Sequence, residues 1–310
     1  MAAPTPVDKQ SLNSALKYIW SQYRLWANTS RAYKADVLRW RKAVLALSIS
    51  GAILGTLCQQ SRSWLAEGKW SWIPIALGFL SAAALGLAAY YTKEALSPDP
   101  EGRAVRARSA AEAFKSEAYL LAANAPPYNT ATTADGLRVR TEKIRKAVEN
   151  LPSKSISPEQ ELEGIPADRL KVEDYIKQRV LQQINEYYLP QARENEKKVA
   201  RGRTLSLILG SLAVVLGVLG ATYGWAAAWI AVISTITAAI AARQYAGRYQ
   251  FLIVSYQATA ERLKWLKTAW EISHKTDADV DDRNNFILAC EEAISIENSA
   301  WMAEWTKKEG

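Results

Sequence analysis

The stretch LSLILGSLAVVLGVLGATY, residues Leu205–Tyr223, decides the fold of this chain because it contains no charged side chain. Three further runs also lack Lys, Arg, Asp, Glu and His: Ala43–Cys58, Ile73–Tyr91 and Ala226–Ala242. A helix needs about 17–25 apolar residues to span the hydrocarbon core of a bilayer, and each run approaches or reaches that length. The sequence therefore predicts an all-α integral membrane protein with four transmembrane helices in contact with the lipid bilayer.

The positions of the basic residues predict the orientation of these helices. Of the 39 Lys and Arg residues, 37 lie in residues 1–42, 92–203 and 243–310, outside the two connectors that join paired spans. Cytoplasmic flanks of membrane helices accumulate Lys and Arg, so we expect both termini and the middle segment to be cytoplasmic. The basic residues nearest the spans form a predicted cytoplasmic collar: Arg39, Arg41, Lys42, Arg201, Arg203, Arg243 and Arg248.

A net charge of +8 could also indicate a nucleic-acid-binding protein. Because the basic residues follow the membrane topology, we attribute the charge to orientation and to attraction by anionic lipid, and we expect no nucleic-acid partner.

The chain is organised as two copies of one plan, which predicts two parallel hairpin repeats with long cytoplasmic amphipathic helices. The first repeat is predicted at residues 1–125, with spans at about 43–58 and 73–91. A polar, Pro-containing linker at 126–171 carries one short helix near 136–149. The second repeat, 172–310, has spans at about 205–223 and 226–242, followed by C-terminal cytoplasmic helices.

An apolar stripe from Tyr245 to Trp270 predicts that the fourth span continues into the cytoplasm as one unbroken helix.

Small and hydroxyl-bearing residues recur at helical spacing inside the spans. Such stripes let helix backbones approach closely, which is the packing interpretation. A ring of hydroxyls contributed by several subunits could alternatively line a pore, because a pore needs neither charge nor catalytic residues. The candidates for pore lining or span packing are Ser48, Thr56, Ser81, Ser206, Ser234, Thr235 and Thr237.

Residue patterns typical of enzymes are missing from the sequence. The single histidine, His274, cannot form a metal cluster or a histidine-based catalytic triad, and no phosphate-binding glycine loop follows a strand pattern. The spans also lack the ionisable residues that mark proton-coupled pumps. We therefore predict no catalytic residue, no metal, no cofactor and no enzymatic activity.

Several stretches together resemble the bacterial SLATT superfamily of two-helix membrane effectors, in its double-hairpin branch. They are Tyr18–Gly55, Arg108–Glu117 with Pro126–Tyr128, Tyr175–Val180 with Gln183 and Tyr187, and Phe286–Trp301 with Cys290–Glu292 and Glu297. The resemblance implies pore formation in conflict and antiviral systems, often beside enzymes or sensors of nucleotide signals. It implies a bacterial inner (plasma) membrane location, and it transfers no functional residue.

Two functions remain open from the sequence. The first is a homo-oligomeric pore-forming or channel-like effector gated through its cytoplasmic helices, with a cytoplasmic protein or a nucleotide signal as the trigger. The second is a membrane-anchored scaffold or adaptor that uses its amphipathic helices to bind cytoplasmic proteins.

Overall fold

The described part of the chain is helical. The computed structural model describes residues 9–65, 69–96, 98–129, 133–273 and 279–306, and no strand occurs among them. The helices are α1 (Lys9–Leu65), α2 (Trp72–Leu96), α3 (Pro98–Ala122), α4 (Thr133–Val148), α5 (Pro158–Glu161), α6 (Val172–Tyr175), α7 (Leu189–Gly220), α8 (Gly224–Gly247), α9 (Tyr249–Ser273) and α10 (Val280–Thr306). The prediction of an all-α fold is confirmed over these residues.

Four helical stretches are long and apolar enough to cross a membrane, as the charge-free runs predict. They are Leu12–Arg62, Trp72–Lys93, Val172–Gly220 and Gly224–Ser273. The first two contain the predicted spans of the first repeat, and the last two contain most or all of those of the second. The lead helix and the first span form a single helix, α1, which continues to Leu65.

Contacts between Cα atoms divide the chain into two compact units. Unit 1 consists of residues 1–35, 98–192 and 254–310, and unit 2 consists of residues 36–97 and 193–253. Each unit therefore draws on both predicted repeats: unit 2 holds the four apolar runs, and unit 1 holds the amphipathic helices. The repeat boundaries at 125 and 171 stay a prediction, because they describe the sequence plan rather than these compact units.

Unit 1 is built around a series of aromatic rings from five elements. Trp20 of α1 lies 6.0 Å from Tyr119 of α3, which lies 6.1 Å from Tyr175 of α6. Tyr175 in turn lies 6.3 Å from Phe286 of α10, whose ring stacks on Trp270 of α9 at 4.9 Å. Edge-to-face and offset contacts at these centroid distances are the favoured aromatic geometries. The rings thus tie together helices that are far apart in sequence.

The segment predicted as a polar linker is packed into unit 1. Its helix α4 agrees with the helix predicted near 136–149, and Arg140 binds the buried carboxylate of Glu117 on α3 at 2.6 Å. After α4, the Lys154 amide donates to the hydroxyl of Thr29 at 2.9 Å, and the Trp20 indole donates to the Glu163 carbonyl at 3.0 Å. These contacts fasten the segment to α1 and α3.

The helix that leads to the third span contains two π-helical segments, Ile176–Leu181 and Gln183–Tyr188. Its buried apolar residues recur at strict four-residue steps: Val172, Ile176, Val180, Ile184 and Tyr188. In an α-helix of 3.6 residues per turn, such a stripe drifts around the axis. The wider i→i+5 turns of a π-helix reduce that drift. The apolar spacing therefore suits the observed π-helical geometry.

The predicted unbroken helix after the fourth span is wrong at one point. Helix α8 ends at Gly247, and Arg248 adopts a left-handed backbone with φ of 45° before α9 begins at Tyr249. The Tyr249 ring occupies the space beside Gly247, since a Cβ placed there would lie 2.5 Å from it. A side chain at position 247 would collide with that ring, which favours glycine there although the left-handed residue is Arg248. The apolar stripe could not reveal this break because it continues on both sides.

Candidate functional site

Helices α1, α2 and α8 of unit 2 line an open cleft of about 450 Å³. One wall comes from α1 and α2 and the other from α8. The lining consists of small residues, hydroxyls and one amide: Gly51, Ala52, Gly55, Thr56, Gln59, Ser81, Leu85, Gly224, Ala227, Ala228, Ala231, Val232 and Thr235. No charged side chain belongs to this set. The cleft is therefore weakly polar and has an uncharged lining.

Glycines in α1 allow α2 to approach closely and form the first wall. A Cβ on Gly51 would lie 2.7 Å from the Leu85 side chain, and one on Gly55 would lie 3.1 Å from the Ser81 hydroxyl oxygen. Ser81 donates to the Gly51 carbonyl at 2.8 Å. Farther along α1, the Cys58 thiol donates to the Pro74 carbonyl at 3.0 Å. As the residue numbers of the contacts increase along α1, those of their partners in α2 decrease, so the two helices run antiparallel.

Helices α7 and α8 form the second antiparallel pair. A Cβ on Gly220 would lie 3.2 Å from Ala227, and one on Gly202 would overlap the Gln244 side chain. The Gln60 amide of α1 donates to the Trp225 carbonyl of α8 at 2.9 Å, which joins the two pairs beside the cleft. Close approach at small residues is the usual way in which membrane helices pack.

Three of the seven predicted hydroxyl residues, Thr56, Ser81 and Thr235, line the cleft together. The other four, Ser48, Ser206, Ser234 and Thr237, are not among its lining residues. Thr56 donates its hydroxyl hydrogen to the Ala52 carbonyl at 3.0 Å, and Thr235 donates to the Ala231 carbonyl at 2.9 Å. The hydrogens are thus engaged within the helices, whereas a hydroxyl oxygen keeps its acceptor lone pairs. The cleft can therefore offer oxygen ligands to a water molecule or a cation.

The predicted basic collar lies entirely within unit 2, in α1 (Arg39, Arg41, Lys42), α7 (Arg201, Arg203), α8 (Arg243) and the break that follows it (Arg248). Arg39 pairs with Asp36 at 2.8 Å and lies over the Trp40 ring at 5.7 Å. Arg41 of α1 interacts electrostatically with Arg243 of α8. Basic residues from both helix pairs therefore lie close enough to interact electrostatically.

Unit 1 contains a buried ion pair that the sequence analysis missed. The guanidinium of Arg179 donates to the Glu291 carboxylate from Nε at 2.9 Å and from Nη2 at 2.8 Å, and the Arg179 side chain is fully buried. The Tyr175 hydroxyl donates to the same carboxylate at 3.0 Å. Arg179 also lies over the Tyr119 ring at 5.1 Å, and its Nη1 is 3.8 Å from the Glu112 carboxylate. A bidentate arrangement of this kind is the strongest form of side-chain ion pairing.

This cluster changes the acid–base properties of its neighbours. Burial, reinforced by the charge of Arg179, lowers the pKa of Lys115 to about 8. Burial and the Glu291 charge raise the pKa of the Tyr175 hydroxyl and of the Cys290 thiol, so both groups stay protonated at neutral pH. Cys290 and Cys58 are both buried free cysteines. The cluster is thus a fixed electrostatic core, and its thiol is shielded from chemistry.

A weak signal for this cluster was present in the sequence. Arg179 lies next to Val180 of the apolar stripe, and Glu291 follows Cys290 in the stretch Phe286–Trp301. Neither residue was assigned a role, because their mutual contact spans 112 residues. Within the described ranges, no group of three or more His, Cys, Asp or Glu residues is arranged to hold a metal ion.

Comparisons with known proteins agree with this architecture. The family model described as "SMODS and SLOG-associating 2TM effector domain 1" (SLATT_1) matches residues 175–301, which include Arg179, Glu291 and the apolar runs of α7 and α8. No curated protein and no solved structure matches the chain. Residues 175–301 are therefore similar to a SLATT two-helix membrane effector domain.

Proposed function

We propose that this protein is a non-enzymatic, oligomeric pore-forming or channel-like effector of the bacterial inner membrane. Its role would be in conflict or antiviral defence, with gating through the cytoplasmic helices. The observation that carries the proposal is the cleft of about 450 Å³, which both helix pairs line with uncharged groups. Hydroxyl oxygens beside an apolar constriction are sufficient for conduction and gating in a channel.

The small number of spans requires several copies to complete a conducting path. Four helices in one chain leave no room for a wide aqueous channel, and closed symmetric assemblies are the common solution for soluble and membrane proteins alike. The apolar part of α7 supports such assembly because it is largely uncovered within one chain: Leu207, Val214 and Val218 are exposed. Space is also open beside Gly210 and Gly217. Small residues on an uncovered membrane helix favour contact with another helix.

The distribution of charge supports the orientation and the site of regulation. With both termini and the middle segment in the cytoplasm, the two hairpin repeats would place the basic collar at the inner interface. Helices α1, α7 and α9 each contribute residues to both units. A trigger bound by unit 1 would therefore act on helices that continue into the spans. The trigger would be a cytoplasmic protein or a nucleotide-signal partner, in keeping with the association with SMODS and SLOG in the description of this domain family.

A matched pair of variants tests the cleft as part of the conducting path. Thr235 lines the cleft, whereas Thr237 does not, and both donate their hydroxyl to the carbonyl four residues earlier at 2.9 Å. Thr235→Val and Thr237→Val therefore remove the same group and the same hydrogen bond. In planar bilayers, we expect Thr235→Val to change conductance and Thr237→Val to leave it unchanged at equal expression. Equal effects of the two variants, or silence of the unsubstituted protein with every trigger tried, would count against the pore.

The anchored adaptor is the second candidate, and one observation favours it. The hydroxyl hydrogens of Thr56, Ser81 and Thr235 are all donated to backbone carbonyls, an arrangement that packing alone explains. If the spans are only anchors, replacing the four apolar runs with unrelated membrane helices should preserve the effect of the protein on the cell that produces it. Loss of that phenotype with normal membrane insertion would favour the pore.

A further inference from the structure

Helices α9 and α10 of unit 1 form a surface groove of about 290 Å³. The two helices run antiparallel, because Trp270 of α9 stacks on Phe286 of α10 while residues near 260 face residues near 292. The groove is lined by three alanines, one threonine, one isoleucine and two charged residues, Arg262 and Glu292: Ala258, Thr259, Arg262, Ala289, Glu292, Ala293 and Ile296.

The two charged residues of the groove differ from the other charged residues of α9 in their ion pairing. Elsewhere on α9, Lys264 pairs with Glu261 and Lys267 pairs with Glu271, each at 2.7 Å. Arg262 and Glu292 take part in no ion pair within the described ranges, although they stand on the two sides of one groove. Arg262 instead lies over the Trp265 ring at 4.8 Å. The groove thus presents one positive and one negative group that have no oppositely charged partner there.

Large apolar side chains accompany these two charges at the surface. Trp265 is 58% exposed and Ile296 is 60% exposed. Tryptophan and arginine are enriched at the centres of protein interfaces, where they contribute a large share of binding energy. An exposed Trp–Arg stack beside an aliphatic residue is therefore the composition expected of a contact surface rather than of a solvated face.

We propose that this groove is a contact between two copies of the chain, with Arg262 of one copy facing Glu292 of the other. The occupant follows from charge complementarity, because a second copy brings the missing acidic partner for Arg262 and the missing basic partner for Glu292. The same contact covers Ile296 and Trp265. This inference rests on the oligomeric state in the proposed function and assigns part of the assembly to unit 1.

Charge reversal in the full-length protein tests the contact directly. Arg262→Glu places two acids opposite each other, and Glu292→Arg places two bases opposite each other. We expect each variant alone to weaken self-association by about tenfold or more, since like charges in contact are strongly unfavourable. An equimolar mixture of the two variants should associate again, because every contact then joins opposite charges. The double variant Arg262→Glu/Glu292→Arg should do the same. Mass photometry in nanodiscs measures each case.

Lys177→Glu and Glu173→Arg provide the matched control. These residues are exposed in the same unit, lie four positions apart and line no described groove, so their reversal should leave association unchanged. Unchanged association in both groove variants would overturn the inference, and so would weakening that neither the mixture nor the double variant repairs.

Bilayer recordings separate this inference from the pore itself. If the groove variants behave as expected but the protein never conducts, the contact between copies is supported and the pore is contradicted. If Thr235→Val changes conductance while the groove variants leave self-association unchanged, the pore is supported and the contact between copies is contradicted.

Discussion

The core of unit 1 contains charged groups, whereas the four apolar runs of unit 2 contain none. Arg179 is fully buried in unit 1 and is matched there by a bidentate carboxylate, a tyrosine hydroxyl and an aromatic face. Unit 2 instead uses glycine, alanine and hydroxyls that donate to their own backbone. Because a charge at the centre of a bilayer is costly, membrane helices rarely tolerate one without a function.

The comparison indicates which unit specifies a unique arrangement and which is free to rearrange. A bidentate ion pair has one good geometry, so it fixes the π-helical segment Ile176–Leu181 against α10. Contacts between small residues are shallow and non-directional, so several helix positions have similar energies. Under the proposed function, unit 1 would receive a signal as a defined body, and unit 2 would open and close.

Breaking the ion pair should give the largest effect. Glu291→Gln removes the bidentate carboxylate and leaves the buried Arg179 charge with only the Glu112 carboxylate at 3.8 Å, and we expect a loss of about 3–5 kcal/mol in the free energy of unfolding. Chemical unfolding in detergent, followed by tryptophan fluorescence, measures this loss. The double variant Arg179→Met/Glu291→Leu should recover most of it, because well-packed apolar groups can replace a buried ion pair.

The surface pair of Arg145 and Glu142 is the control for that experiment. Arg145→Ala should leave unfolding unchanged, since exposed ion pairs contribute little. Wild-type stability of Glu291→Gln would show that the buried pair does not fix the core of unit 1.

Crowding the first helix pair of unit 2 should have a smaller effect. In Gly51→Val, the new side chain meets Leu85 at a position where even a Cβ would be 2.7 Å away. Overpacking of this kind costs about 1–3 kcal/mol. Gly86→Val adds the same atoms to α2, where nothing lies within 4 Å of the Cβ position, and should leave the thermal midpoint in detergent unchanged. Equal midpoints for the two variants would show that α1 and α2 do not pack through Gly51.

The pH dependence of unit 1 should show the smallest effect. The pKa of Lys115 is about 8 in the fold and 10.5 ordinarily, because burial and Arg179 disfavour its charged form more than Glu112, Glu186 and Glu291 favour it. Between these values the unfolded chain binds a proton that the folded chain lacks, so stability rises with pH from about 8 to 10.5. Lys115→Met should remove this rise. Parallel curves of unfolding midpoint against pH for both proteins would contradict the assignment.

The sequence was sufficient to predict the features that depend on local composition. A run of about twenty uncharged apolar residues, such as Leu205–Tyr223, is long enough to span the hydrocarbon core of a bilayer as a helix. The four spans could therefore be predicted from run length and composition alone. The helix at Thr133–Val148 was likewise visible between proline-rich segments. The break at Arg248 was not, because glycine is tolerated inside many membrane helices.

Features that depend on which surfaces meet could not be predicted in this way. Helical spacing identified the hydroxyl faces, but it could not show that Thr56, Ser81 and Thr235 meet at one cleft while Ser48, Ser206, Ser234 and Thr237 lie elsewhere. The contact between Arg179 and Glu291 could not be predicted for the same reason, because the two residues lie 112 positions apart. Such pairings are set by tertiary packing and become visible only in the structure.

The most direct test of the central claim is an image of the full-length protein in nanodiscs, which shows how many copies assemble. The account predicts a closed ring of at least about four copies, with the clefts that contain Thr235 facing its axis. A population of monomers or simple dimers would contradict it, because so few uncharged spans cannot enclose a conducting path, and the anchored adaptor would then be the better description.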